Sequence, residues 1–85
     1  YMSNILKLHE AIAVVLLSKE DRTASLSQLS EEIANRRLYF QDNSEGEPAP
    51  PDQIRLRTHP NTNTGKRYQH LFEYIEPDKV KLRNL

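Results

Sequence analysis

Polar and basic side chains that can contact DNA are concentrated between Pro51 and Thr58. Gln53, Arg55 and Arg57 occupy alternate positions there, and Thr58 closes the run. An arginine can grip a guanine edge or a phosphate with two parallel hydrogen bonds, and a glutamine can pair with an adenine edge. These four polar residues are therefore candidates for contact with the bases or the backbone of DNA.

A second set of basic residues follows this run and has the chemistry of phosphate contact. Lys66 and Arg67 are adjacent, and Lys81 lies between Lys79 and Arg83 in the last apolar segment. We expect Lys66, Arg67 and Lys81 to contact the phosphate backbone. Because basic and apolar residues alternate from Lys79 to Arg83, a solvated strand edge is the alternative for that segment.

The two arginines of the first set have structural alternatives to DNA contact. Ile54 is expected in the core, and around a helix Arg57 lies nearer to Ile54 than Arg55 does. Arg57 is therefore either a DNA contact or part of a structural ion pair with Glu73. Arg55 is either a DNA contact or a solvated charge.

Catalytic and metal-binding patterns are weak in this sequence. His9, His59 and His70 lie far apart, and none has the spacing of metal ligands or of a nucleophile with its base. Cysteine is absent, and two glycines, Gly46 and Gly65, are too few for a glycine-rich phosphate loop. We therefore expect no enzymatic activity, no cofactor, no metal site and no small-molecule ligand.

Length and charge limit the choice of partner. The 85 residues are expected to form one small domain, residues 1–85. Twelve basic and twelve acidic side chains cancel, which weakens any long-range attraction to a polyanion. Residues 51–85 nevertheless carry seven Lys or Arg against four Asp or Glu, whereas residues 1–50 carry five against eight. The C-terminal half is therefore the side expected to dock on DNA.

Composition also bears on location. The absence of cysteine fits a reducing cytoplasm. The richest apolar run, residues 11–17, is far shorter than the roughly 20 residues that cross a bilayer, so we expect no membrane partner. Met2 is interpreted as the start residue and Tyr1 as an expression remnant without a functional role.

Hydrophobic spacing predicts two helices and a short strand in the first half. Apolar residues recur every three or four positions near the N-terminus, which predicts a helix over residues 4–19 with Ser3 as its cap. Residues 23–26 can form a small strand. A second amphipathic helix is predicted over residues 27–37, preceded by a capping-box pattern from Ser25 to Gln28.

The second half is predicted to contain a third helix and a hairpin. A polar loop, residues 41–49, leads to a helix that begins at Pro51 and ends near Thr58, because Pro60 excludes His59 from helical geometry. Residues 61–65 are polar and without periodicity, and they are expected to be the most mobile part of the chain. Strands over residues 71–75 and 80–83 then form a hairpin. This order predicts an α+β fold, a three-helix winged helix-turn-helix with a C-terminal two-stranded β-hairpin.

Aromatic residues allow one further interpretation. Aromatic rings can stack on single-stranded bases, as they do on sheet-type RNA binders. A small core needs bulky side chains, however, and core packing is the favoured role here. The residues concerned are Tyr39, Phe40, Tyr68, Phe72 and Tyr74.

Several short patterns carry a resemblance to a known family. The residues that match are Arg37, Leu38, Tyr39, Pro50, Gln53, Ile54, Arg57, Tyr68, Leu71, Phe72, Glu73, Val80, Lys81 and Leu82. In these positions the chain resembles bacterial winged-helix domains related to the HARE type. The resemblance implies a nucleic-acid-associated role. Together with the basic residues above, it leads us to expect a small transcriptional or restriction-associated regulator that binds double-stranded DNA. The alternative is a winged-helix module that binds a protein partner and not DNA.

Overall fold

The computed structural model of the protein describes residues 6–40 and 49–83. This part of the chain has an α+β fold of helices and a three-stranded antiparallel sheet. Its elements in chain order are α1 (Leu8–Leu17), β1 (Thr23–Ser25), α2 (Leu26–Asn35), α3 (Pro51–Thr58), α4 (Asn63–Arg67), β2 (Phe72–Ile75) and β3 (Lys79–Leu82). The predicted polar loop and the predicted cap Ser3 fall on residues outside the described ranges, apart from Ala49.

The first helix begins at Leu8, later than the sequence predicted. The backbone of Lys7 is extended, and its N–H donates to the Glu10 carboxylate at 2.8 Å. Glu10 is the third residue of α1, so its side chain satisfies a donor at the N-terminal end of the helix. The predicted start at residue 4 was wrong because the local cap of Lys7 and Glu10 sets the start of the helix, and hydrophobic spacing does not detect such a cap.

The second helix begins as its capping pattern indicated. The Ser25 hydroxyl accepts from the Gln28 N–H at 3.1 Å, and the Gln28 side chain accepts from the Ser25 N–H at 2.9 Å. These reciprocal hydrogen bonds confirm the predicted capping box and place the helix start at Leu26. The strand predicted before it is also confirmed, as β1.

The second helix ends two residues earlier than predicted. Arg37 adopts a left-handed conformation with φ 54°. The Arg37 N–H donates to Ala34 at 3.1 Å and the Leu38 N–H donates to Ile33 at 3.0 Å, which is the hydrogen-bond pattern of a Schellman motif. The Arg36 side chain binds Glu32 at 2.8 Å. Arg37 therefore helps to terminate α2, and Arg36 pairs with a residue inside the helix.

The predicted hairpin is present and carries an additional strand. Tyr74 of β2 and Ala24 of β1 both lie opposite Val80, so β3 is the central strand in the order β1, β3, β2. Val80 and Leu82 are buried on the face towards the helices, whereas Lys79 and Lys81 are exposed. The two-stranded hairpin was therefore an incomplete prediction, because pairing with β1 depends on residues more than fifty positions away.

A single apolar cluster holds the helices against one face of the sheet. Helix α3 packs against α1, α2, α4 and β2. Phe72 is buried, and Tyr39, Tyr68 and Tyr74 are partly buried against the cluster, as the core interpretation of the aromatic residues predicted. The buried apolar residues are Leu8, Ala11, Ile12, Val15, Leu16, Ala24, Leu26, Leu29, Ile33, Ala49, Ile54, Phe72, Val80 and Leu82.

Helix α4 replaces part of the predicted loop. The Thr62 hydroxyl donates to the Leu56 carbonyl at 2.7 Å and accepts from the Gly65 N–H at 2.8 Å, which joins the end of α3 to the start of α4. A Cβ atom on Gly65 would overlap the His59 carbonyl oxygen, so glycine permits the two helices to approach. The helix over residues 63–67 therefore contradicts the expectation that residues 61–65 lack regular structure.

Candidate nucleic-acid interface

Helix α3 carries most of the predicted site, and prolines define both of its ends. Pro50 is extended and Pro51 occupies the first helical position, where its missing N–H costs nothing. His59 leaves helical geometry with ψ 127° ahead of Pro60. The Ser30 hydroxyl donates to the Ala49 carbonyl at 2.7 Å and so fixes the approach to α3 against α2. The predicted bounds of this helix are confirmed.

The exposed stripe of α3 contains Asp52, Arg55 and Leu56. Successive residues of a helix are rotated by about 100°, so these three side chains fall within an arc of about 100°. All three are exposed, whereas Ile54 and Thr58 on the opposite side are buried. Arg55 is therefore free to reach a ligand that lies along this stripe.

Thr58 is part of the core and does not belong to the exposed stripe. Its side chain is 1% exposed. Its hydroxyl donates to the Ile54 carbonyl at 3.0 Å, which satisfies the group within the helix. Thr58 therefore fixes the packing of α3 and has no surface with which to meet a base or a phosphate.

Gln53 and Arg57 occupy a different side of α3 from Arg55. They lie four residues apart, on one face, and both are half-buried. The sequence alternative of an ion pair between Arg57 and Glu73 is not found among the ion pairs of residues 6–40 and 49–83. The three side chains that alternate along the sequence thus do not form one contact surface.

Arg57 lies close to a stacked pair of rings at the start of α1. The His9 ring stacks on Tyr68 with centroids 4.2 Å apart and planes at 17°. Partial burial lowers the pKa of His9, Glu10 opposes this shift, and the charges of Lys7 and Arg57 add to it. The positive charge of Arg57 therefore acts on the His9 ring.

Lys66 and Arg67 are exposed in the last turn of α4. A positive charge in the last turn of a helix favours the helix dipole, so these side chains have a structural role in addition to any contact they make. Because α4 packs against α3, both residues lie on an element adjacent to the one that carries Arg55. Lys66 and Arg67, which are expected to contact phosphate, thus lie together on a helix.

Lys81 is separated from the helices by the sheet. It lies on the outer face of β3, between Thr23 of β1 and Glu73 of β2. Its neighbours Val80 and Leu82 point to the opposite, helix-covered face. Lys81 is therefore not brought together with Arg55, and the solvated-strand alternative describes its position.

The hairpin turn is fixed beside the end of α3 by a contact that sequence reasoning did not identify. The buried His59 ring donates from Nε2 to the Glu76 carboxylate at 3.0 Å. Its Nδ1 accepts from the Asn61 N–H at 3.1 Å, which assigns the proton of the neutral ring to Nε2. The ring also lies 4.6 Å from that of Tyr74.

The hairpin turn makes a second contact, with the N-terminus of α2. The Leu26 N–H donates to the Asp78 carbonyl at 2.8 Å. The turn therefore sits between the start of α2 and the end of α3. No local sequence signal indicates this arrangement, since His59 and Glu76 are seventeen residues apart.

Comparisons of the chain with protein-family models, with curated proteins and with solved structures find no match. Within the described residues, no group of three or more His, Cys, Asp or Glu side chains is placed to hold a metal ion. No helix in the same part of the chain has the length and apolar character needed to cross a membrane.

Proposed function

We propose that this chain is a non-enzymatic DNA-binding winged helix domain that acts as a small transcriptional or restriction-associated regulator. In this proposal α2 and α3 are the helix-turn-helix, and the turn between β2 and β3 is a short wing. The order of helices and strands, with β1 paired to the second strand of the hairpin, supports this assignment. The resemblance of the sequence to HARE-type domains supports it too.

The observation that carries the proposal is the placement of Arg55. This side chain is exposed on α3, which rests on α2, while the hairpin turn is held at the C-terminal end of the same helix. A helix that presents an exposed arginine can place the guanidinium group against a guanine edge or a phosphate in the major groove. Lys66 and Arg67 on the adjacent α4 are proposed backbone contacts.

The dimensions of the protein limit the number of contacts. Its longest extent is 34 Å, comparable with one turn of B-DNA at about 34 Å. A domain of this size covers one side of about one turn. We therefore expect three basic side chains to contact phosphates or bases in this chain, which has no net charge.

Salt dependence tests the proposal. Each phosphate contact contributes a slope of about −0.9 to log affinity against log salt, so contacts by Lys66 and Arg67 predict about −2 with duplex DNA, and a further phosphate contact by Arg55 would bring the slope to about −3. Fluorescence anisotropy with labelled duplex over a range of salt concentrations measures this slope. Arg55→Ala should reduce the affinity about tenfold while leaving the free energy of unfolding unchanged, because the side chain is exposed.

The matched control is Leu17→Ala, which shortens an exposed side chain of α1 without changing charge. It should bind duplex as the wild type does. Absence of duplex binding at low salt would contradict the proposal, and an unchanged affinity for Arg55→Ala would remove α3 from the interface.

The second candidate function is that of a winged-helix module that binds a protein partner. The acidic character of the hairpin turn favours it, because Glu76 and Asp78 are exposed where a wing would approach phosphate. The zero net charge fits it as well. A folded protein that binds no duplex at low salt is the result that this candidate predicts.

A further inference from the structure

The exposed stripe of α3 contains an apolar side chain that the proposed function does not yet use. Leu56 is 39% exposed and lies directly beside Arg55. Exposed leucines are common on protein surfaces and have no meaning by themselves. This one lies at one edge of the surface that is proposed to enter the groove, where an apolar group can contact only an apolar group of the DNA.

The direction of Leu56 is fixed by its backbone. The Thr62 hydroxyl donates to the Leu56 carbonyl at 2.7 Å and to the His59 carbonyl at 3.0 Å. On the opposite side of the helix, Ile54 is fully buried. The C-terminal end of α3 is therefore held by contacts on two sides, so the backbone that carries the Leu56 side chain is fixed in position.

The neighbouring Asp52 makes phosphate an unsuitable partner for this stripe. Its carboxylate lies one turn before Leu56 on the same side of α3 and would be repelled by the DNA backbone. Base edges in the major groove offer amino donors that a carboxylate can accept, such as N4 of cytosine. The stripe of Asp52, Arg55 and Leu56 therefore suits base edges better than phosphates.

We propose that Leu56 contacts the 5-methyl group of a thymine adjacent to the guanine that Arg55 contacts. The inference rests on the proposed DNA-binding function and specifies what the same surface reads. The thymine methyl group is the apolar feature of the major groove, and an aliphatic side chain is its natural partner. Arg55 and Leu56 are adjacent in α3 and their side chains diverge by about 100°, so the two can reach neighbouring base pairs, which are about 3.4 Å apart.

Replacement of thymine by uracil tests this contact, because uracil lacks only the 5-methyl group. The probe is a duplex of alternating dT and dG, with dC and dA on the other strand, about two helical turns long. A second duplex has dU at every dT position. We expect the wild type to bind the thymine duplex about fourfold more tightly, the factor that burial of one methyl-sized group gives.

Two variants assign the discrimination to its residue. In Leu56→Ala the ratio of affinities for the two duplexes should fall to about one, since the apolar partner is gone. In Leu17→Ala, which removes the same atoms from an exposed leucine of α1, the fourfold ratio should persist. Circular dichroism establishes that both variants are folded, so that a lost ratio is not a sign of unfolding.

The outcomes separate the inference from the proposed function. Salt-dependent binding with equal affinity for the thymine and uracil duplexes would overturn the thymine contact and leave DNA binding intact. An equal loss of the ratio in both leucine variants would also overturn it. If neither duplex binds at low salt, the proposed function fails and the inference falls with it.

Discussion

Individual side chains on α3 have different roles that their sequence positions do not reveal. Arg55 is exposed, whereas Arg57, two positions away and about 200° around the helix, is half-buried near His9. The sequence correctly placed Ile54 in the core and left two interpretations open for each arginine. It could not choose between them, because the choice depends on where α1 and α4 pack against α3.

At the residue scale, His9 should make the stability of the protein depend on pH. Burial lowers the pKa of His9 below 6.5, with further lowering by Lys7 and Arg57. Well above pH 6.5 the ring is neutral in both states and its contribution to stability is complete. As pH falls through 6.5 the unfolded chain takes up a proton first, so stability is lost until the folded-state pKa is reached.

Urea unfolding of the wild type and His9→Gln between pH 8 and pH 5 measures this effect. The free energy of unfolding of the wild type should fall more steeply below about pH 6.5 than that of the variant. Arg57→Gln should give an intermediate slope, because one of the charges that lowers the His9 pKa is removed. Parallel pH profiles for the wild type and His9→Gln would contradict the assignment.

Among the elements, α3 and the start of α2 follow from local sequence signals and were predicted, whereas α4 and the pairing of β1 with β3 depend on distant contacts and were not. Pro51 and Pro60 define α3 from within its own sequence, and Ser25 with Gln28 defines the start of α2. Helix α4 is only five residues long, too short to be stable by itself, and it depends on Thr62 and on contact with α3. A polar five-residue segment gives no periodic signal, so this helix was missed.

The packing of α4 gives a prediction for Gly65. In an isolated helix Gly65→Ala would be stabilising by about 1 kcal/mol. Here the added methyl group overlaps the His59 carbonyl oxygen, a backbone atom that cannot move without shifting the end of α3. We expect a net loss of about 1–3 kcal/mol in the free energy of unfolding, measured by urea denaturation.

A matched control for this substitution is Thr64→Ala, in the same helix and at the adjacent position. It also introduces alanine, but it removes side-chain atoms instead of adding a Cβ atom, at a position that is only partly buried. It should cost much less than Gly65→Ala. If both variants had wild-type stability, α4 would not be packed closely against the His59 backbone.

The hydrogen bond from His59 to Glu76 joins the end of α3 to the hairpin turn. Its removal should lower the free energy of unfolding, because the His59 ring is buried. Glu76→Ala leaves the buried Nε2–H without its acceptor, which should cost about 1–2 kcal/mol of stability. Glu76→Gln keeps a side-chain oxygen in place and should cost less than half as much. Thermal unfolding of the two variants, monitored by circular dichroism, gives the comparison.

Equal stabilities for Glu76→Ala and Glu76→Gln would show that the hydrogen bond does not hold the turn against α3. The bond would then be a surface contact of little energy, in spite of the 5% exposure of His59. Because the turn is also bonded to the start of α2 through Asp78 and Leu26, it should remain attached to the fold in either variant.

On the scale of the whole molecule, charged side chains lie at both ends of the sheet, and the end with the hairpin turn is the one that is joined to α3. The hairpin turn, with Asp78, lies at the end that is joined to α3. Arg22 and the preceding Glu20 lie at the other end, since the Arg22 carbonyl accepts from the Leu82 N–H at 3.0 Å. The four-residue strand β3 separates the two ends by about 10 Å, which is about one Debye length at 0.1 M salt.

This separation allows the docking orientation to be tested with two substitutions of equal charge. If α3 and the hairpin turn face DNA together, Asp78→Asn removes a charge that repels phosphate and should raise the affinity for duplex about threefold at low salt, as expected for two charges about 7 Å apart in water. Glu20→Gln changes the net charge by the same amount at the far end and should have little effect. The gain from Asp78→Asn should disappear at high salt, where the interaction is screened.

Equal gains from both variants would mean that only net charge matters, and no gain from Asp78→Asn would place the hairpin turn away from the DNA. The backbone bond from Leu26 to Asp78 is retained in the asparagine variant, so a change in affinity reports on charge and not on the position of the turn.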